Sequence, residues 1–156
     1  MTKWAGAALP IALAITALDS DSAHAVGSPL IPTLPHSVEK YAQDLTSTNR
    51  AKRRFAARVL LRRVRTARRL AARGPEDDLT RAEAQQTLTD FDHLVAPRCT
   101  DHLSTVEISG PCADILRLLE TKAAIPALES HLQEESRPGV RRRIEKALHT
   151  IRQVSP

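Results

Sequence analysis

From position 37 to the end of the chain, apolar residues recur at three- and four-residue intervals, the spacing that places them on one face of an α-helix. Ser37 suits the N-cap of a first helix with Val38, Tyr41, Ala42 and Leu45 inward. Ser47-Thr48-Asn49 breaks it, and a long second helix is predicted over Arg50 to Arg73. Thr80 and Glu83 have the spacing of a capping box, which predicts a third helix reaching Val95. Ala96 to Pro111 reads as a loop holding Cys99, followed by a short helix over Cys112 to Glu120 with Ile115, Leu116 and Leu119 inward. Pro126 suits the first turn of the next helix, where a missing N–H costs nothing. That helix presents Ile125, Leu128 and Leu132, and a last one over Val140 to Arg152 presents Ile144, Ala147, Leu148 and Ile151. Gly74-Pro75, Gly110-Pro111 and Pro138-Gly139 punctuate the series. Thr105 to Ile108 is too short to count as a strand, so the expected fold class is all-α.

The first residues follow a different pattern. Lys3 precedes an apolar run from Trp4 to Leu18, and a polar segment then ends in Ala23-His24-Ala25, the small-x-small pattern that signal peptidase accepts. The run is shorter than the roughly 20 apolar residues of a membrane span, and Pro10 interrupts it. The expected organisation is a cleavable signal peptide over 1–25, an extended Pro-rich leader over 26–36 and a helical domain over 37–156. The mature chain, starting near Val26, is expected in the periplasm or the medium, with no transmembrane segment and no Cys at the cleavage site for a lipid anchor.

An internal repeat relates the first and last helix pairs. Val38, Tyr41, Leu45, Arg54, Ala57, Leu60, Leu61 and Val64 align without gaps to Ile125, Leu128, Leu132, Arg141, Ile144, Ala147, Leu148 and Ile151, each pair 87 positions apart. Few of the matches are identities, so the signal is the shared register. Half that offset is near the ~40–47-residue period of helical arrays. Ala124-Ile125-Pro126-Ala127-Leu128…Leu132 followed by Val140-Arg141…Ile144…Leu148 resembles the HEAT-repeat family: a small-apolar-Pro-apolar helix start, then Val-Arg opening the second helix. The first pair fits more loosely, with Arg54, Ala57 and Leu61 but no Pro near Val38, and the middle pair has a longer loop. The resemblance implies a short α-solenoid of about three stacked helix pairs. The alternative is an irregular helical bundle whose periodicity is accidental.

Composition changes this picture in two places. The net charge of +5 rises to +6 once Lys3, Asp19 and Asp21 leave with the signal, which favours acidic partners. Only Tyr41, Phe55 and Phe91 then remain as aromatics, too few for the stacking platforms of sugar or base recognition. Two cysteines, Cys99 and Cys112, permit one disulfide in an oxidising compartment, contributing about 2–3 kcal/mol if unstrained. Two free buried thiols are the alternative reading, and zinc is weaker because the spacing matches no ligand pattern.

The second helix carries the least ordinary surface. No acidic residue lies between Leu45 and Gly74, while Arg54, Arg58, Arg62, Arg65, Arg69 and Arg73 fall on one helical face. Ala57, Leu60, Leu61, Val64, Ala67 and Ala71 lie opposite, and the apolar side, with Phe55 as its one aromatic, reads as core. Like charges at i,i+4 destabilise a helix by a few tenths of a kcal/mol per pair, so the core face or an acidic partner must offset them. Three readings compete: a solvated face partly neutralised by Glu76, Asp77, Asp78, Glu83, Asp90 and Asp92; a docking surface for an acidic protein; or a site for an anionic polymer or lipid headgroup. Export makes nucleic acid the least natural ligand.

Asp92-His93 and Asp101-His102 are the clusters that look chemical, but adjacent residues do not face one target and no HExxH spacing occurs. His131 and His149 are expected on helix exteriors. There is no GxSxG motif and no phosphate-binding glycine loop. The expected function is therefore a non-catalytic protein-interaction module, without cofactor or metal, that presents the arginine face. Binding of a polyanion or an envelope surface through the same arginines is the alternative.

Overall fold

The computed structural model describes residues 35–72 and 78–154. The expected signal peptide and nearly all of the leader lie outside the described residues, as does Arg73. Among the described residues the chain is all-helical: α1 (Pro35–Asp44), α2 (Arg50–Ala71), α3 (Asp78–Leu94), α4 (Ala96–Asp101), α5 (Ser109–Leu119), α6 (Ile125–Glu134) and α7 (Pro138–Gln153), with a 3-10 turn at Lys122–Ala124 before α6. None of these helices is long and apolar enough to cross a membrane.

The helix starts show which local signals were decisive. Asn49 caps α2, its Oδ1 accepting the backbone N–H groups of Ala51 at 2.9 Å and Lys52 at 3.2 Å. Two expected caps fall inside helices instead. Ser37 lies within α1, which opens at Pro35, whose fixed φ suits a first turn; the last two leader residues, 35–36, are thus helical. Thr80 lies within α3, which opens at Asp78.

The segment over 96–111 is a further correction, since most of it is ordered as helix and turn. Pro97 stands in the first turn of α4, and hydrogen-bonded turns then lead to α5, which begins at Ser109. Cys99, Leu103 and Ile108 are buried along this path, and that burial explains why it is not a surface loop. Gly110-Pro111 stands in the first turn of α5, where the absent N–H would have had no partner within the helix. Glu120 ends α5 in the left-handed region, φ 58° and ψ 36°, a place usually given to glycine.

The core follows the predicted faces. Ala57, Leu60, Leu61 and Val64 of α2, and Ile144, Ala147, Leu148 and Ile151 of α7, are all buried, so these two helices share the 87-residue register. Each large apolar side chain so buried contributes roughly 1.5–3 kcal/mol relative to exposure. Helix α1 packs on α2, and α6 packs on α7. Helix α5 lies against both α2 and α7, while α3 lies mainly on α2 and α4 and touches α5 lightly. The expected middle pair is therefore altered: α4 takes the place against α5 that the spacing assigned to α3.

Candidate functional site

Helix α2 supplies both core and surface. Its 22 residues are dominated by Arg, Ala and Leu, which are strong helix formers, and Asn49 fixes its start. With Ala56, Ala57, Leu60, Leu61, Val64, Ala67 and Leu70 buried, Arg54, Arg58, Arg62, Arg65 and Arg69 are left exposed on the other side. From Arg54 to Arg69 the row runs about 22 Å at 1.5 Å per residue.

The other arginines of α2 do a different job. Arg53 Nη1 donates to the carbonyls of Ser47 at 2.7 Å and Thr48 at 3.1 Å, closing the turn between α1 and α2. It also pairs with Glu107, which Arg50 approaches at 3.8 Å. A hydrogen bond from its own backbone N–H, then one from Arg53, hold the Glu107 carboxyl below its usual range. Arg68 donates to the Leu118 carbonyl at 2.6 Å, at the negative end of α5, and pairs with Glu120. Burial, then repulsion from Arg117, lower the Arg68 pKa. Arg63 stacks 5.4 Å over the Tyr41 ring.

Comparison of the two outer helix pairs explains why Arg54 is exposed. Arg141, its counterpart 87 positions on, donates to the carbonyls of Leu132 at 2.8 Å and Glu135 at 3.0 Å. In the first pair this clamp on the preceding turn is made by Arg53, one position earlier. Arg54 is thereby released to the surface.

Among the described stripe arginines and the described acids, one ion pair forms: Arg65 with Asp114 of α5 at 3.6 Å. Arg143 of α7 reaches the same carboxylate at 3.5 Å and Arg117 at 3.9 Å, so three guanidinium groups surround one largely buried acid. Gly110 leaves room for this, since a Cβ there would meet Arg143 Nη1 at 3.2 Å. Arg54, Arg58, Arg62 and Arg69 have no ion pair with any described residue. Of the acids expected to neutralise the face, the three whose side chains are described do not pair with these arginines: Asp90 accepts from Gln86 at 2.9 Å, Asp92 accepts from Thr121 at 2.7 Å, and Glu83 has no ion pair with them. Glu76, Asp77 and the side chain of Asp78 lie outside the described residues.

Phe55 is a correction. It was expected within the apolar core side, but it is 59% exposed, at the edge of the arginine row. At 100° per residue its position follows Arg54 directly on the polar flank, and there it tilts against Tyr41 with ring centroids 6.0 Å apart and planes at 59°. Beside it a shallow hollow of about 570 Å³ is lined by Asn49, Arg50, Ala51, Arg54, Phe55 and Arg58.

The expected disulfide is also not formed. Cys99 on α4 and Cys112 on α5 are both fully buried free thiols in neighbouring positions. Burial, and then the hydrogen bond with Cys112, push the Cys99 thiol well up from its ordinary value.

Sequence reasoning missed one polar cluster. His131, expected on a helix exterior, has a side chain only 11% exposed, with Nε2 at 2.9 Å from Ser109 Oγ and 3.3 Å from Glu135 Oε2. The serine and the carboxylate meet the same ring nitrogen, whereas a nucleophilic triad needs them on opposite nitrogens. Glu135 in turn takes hydrogen bonds from the Arg137 guanidinium, which hold its carboxyl down at about 2. The cluster ties α6 to the start of α5: His131 and Glu135 stand at i,i+4, while Ser109 is 22 residues from His131 and no helical spacing relates it to them. Neither Asp92-His93 nor Asp101-His102 gathers further ligands: among the described residues no three His, Cys, Asp or Glu side chains are grouped to hold a metal. The chain matches no protein-family model, no curated protein and no solved structure.

Proposed function

We propose that this chain is an exported, non-catalytic interaction module built as a short HEAT-like α-solenoid, which docks an acidic protein along the exposed face of α2. One observation carries the reading: four exposed arginines, Arg54, Arg58, Arg62 and Arg69, that no described carboxylate neutralises. A helix bearing uncompensated like charges at i,i+4 gains when carboxylates from outside bind them, and arginine's planar fork suits that contact. The solenoid draws support from the shared burial register of α2 and α7 and from α5 packing against both. The exported location rests on the pattern over 1–25, and the disulfide-permissive compartment it implies is independent of the docking face.

The test compares the full chain with an Arg54→Gln/Arg58→Gln/Arg62→Gln/Arg69→Gln variant as baits for envelope and culture-medium proteins, after circular dichroism shows equal helicity. A discrete acidic protein retained by the wild type and lost by the variant is the expected result. Equal capture by both baits overturns the docking face. Salt separates the alternative: a polyanion contact weakens steeply and log-linearly with ionic strength, and a protein interface with a packed centre much less.

A further inference from the structure

The arginine row is not uniform along its length. Its C-terminal part adjoins the Asp114 centre, where Arg65 is already engaged. Its N-terminal part ends at Phe55, and no described acidic side chain lines the hollow there. Phe55 and Val106 are the large apolar residues exposed among those described. The backbone carbonyl of Val106 is held by Arg137 at 2.5 Å, in a turn, whereas Phe55 is fixed on a capped helix with one side of its ring against Tyr41.

We infer, building on the docking reading above, that this N-terminal end of α2 is the anchor of the surface. The occupant is an acidic protein segment in which one apolar side chain packs on the open side of Phe55 while flanking carboxylates meet Arg54 and Arg58. Further carboxylates then follow the row to Arg62 and Arg69. Charge complementarity selects an acidic occupant, and the aromatic selects among acidic occupants, because a sulfated or phosphorylated polymer gains nothing from an apolar contact. A nucleic acid strand gains from aromatics when successive bases find successive platforms. Here one mostly exposed ring, Phe55, backed by the half-buried Tyr41, stands at one end of a row about 22 Å long. Anchors of this kind, an aromatic flanked by charge, concentrate binding energy in a few residues.

Fluorescence anisotropy tests it with the full chain and two short synthetic Glu-rich peptides that differ only in a central Leu or Ser. The proteins are wild type, Phe55→Ala and Arg54→Gln/Arg58→Gln. Phe55 is mostly exposed, so its truncation leaves the core intact. The Leu peptide is expected to bind wild type about fivefold tighter than the Ser peptide, the size of one modest apolar contact. That gain should vanish in Phe55→Ala, and both peptides should weaken in the arginine variant. If both peptides bind and both depend on the arginines but Leu brings no Phe55-dependent gain, the anchor is overturned and the docking reading stands. If neither peptide binds, both fail. A heparin fragment, an oligothymidylate or anionic vesicles bound in a Phe55-dependent way while Leu brings no gain overturns the protein segment as occupant. Self-association abolished by Phe55→Ala does the same in favour of a second copy.

Discussion

Asp114 shows how differently arginines with the same sequence appearance are used. Its side chain is 11% exposed and faces Arg65, Arg117 and Arg143 from three helices, and removal of the acid leaves three cations facing one another. Two of those arginines are about half exposed, so water screens much of the repulsion. Asp114→Ala is expected to destabilise the fold by about 1–2 kcal/mol in urea unfolding, below the cost of orphaning a fully buried ion. Substitution of Arg65 alone should cost well under half of that, because two partners remain. Equal losses for the two variants would show that the carboxylate is held by packing and not by its charge. The distinction between Arg53, a turn clamp, and Arg54, a surface cation, could not be read in the sequence, because a helix-long arginine run contains both faces and the clamp had shifted by one residue.

At the scale of elements, what was legible depended on periodicity. Helices α2, α6 and α7 and their buried faces follow from the spacing of Leu, Ile, Val and Ala. The path over 96–108 did not follow, because a six-residue helix and a run of turns are too short to show a period. Phe55 breaks the expectation because residue type and helical angle disagree there: its ring is apolar, but 100° per residue puts it on the arginine flank of α2, and the angle prevails. The cysteine pair depended on the short α4: once Cys99 and Cys112 are brought together in the core, their thiols are protected by burial and by the raised Cys99 pKa. Both should be unreactive toward a thiol reagent in the folded chain and react together, as two equivalents, in denaturant. Fewer than two equivalents after denaturation would show that the bond forms in the isolated protein.

For the whole molecule, acid is the condition that loosens several contacts at once. Glu107 links the turn before α5 to Arg53, and Glu135 links α6 to Arg137 at the start of α7; both carboxyls titrate below their ordinary value in the fold. A depressed carboxyl pKa gives stability that is present above the unfolded value, here about 4.5, and lost as pH falls toward the folded one, about 2 for Glu135. Melting temperature should therefore be flat near neutrality and drop between about pH 4.5 and 2. Glu135→Gln should melt lower than wild type at pH 7 and show a shallower acid slope, the two converging near pH 2. A parallel offset at every pH would mean that the glutamate acts through shape alone. These links join residues without helical spacing between them, so only the folded chain brings them into view.

The capped, half-buried α2 has one more consequence. Trypsin cleaves after arginine, and this helix displays a ladder of such bonds in full view of solvent, but a protease must draw a stretch of backbone out of its hydrogen-bonded form before it can cut. Because the opposite side of the same turns is Ala, Leu and Val seated in the core, that stretch can be released only by lifting the core with it. Proteolysis therefore counts helix openings and not exposed arginines, and the rate of digestion becomes a clock for the least stable motion of the surface on which a partner would land.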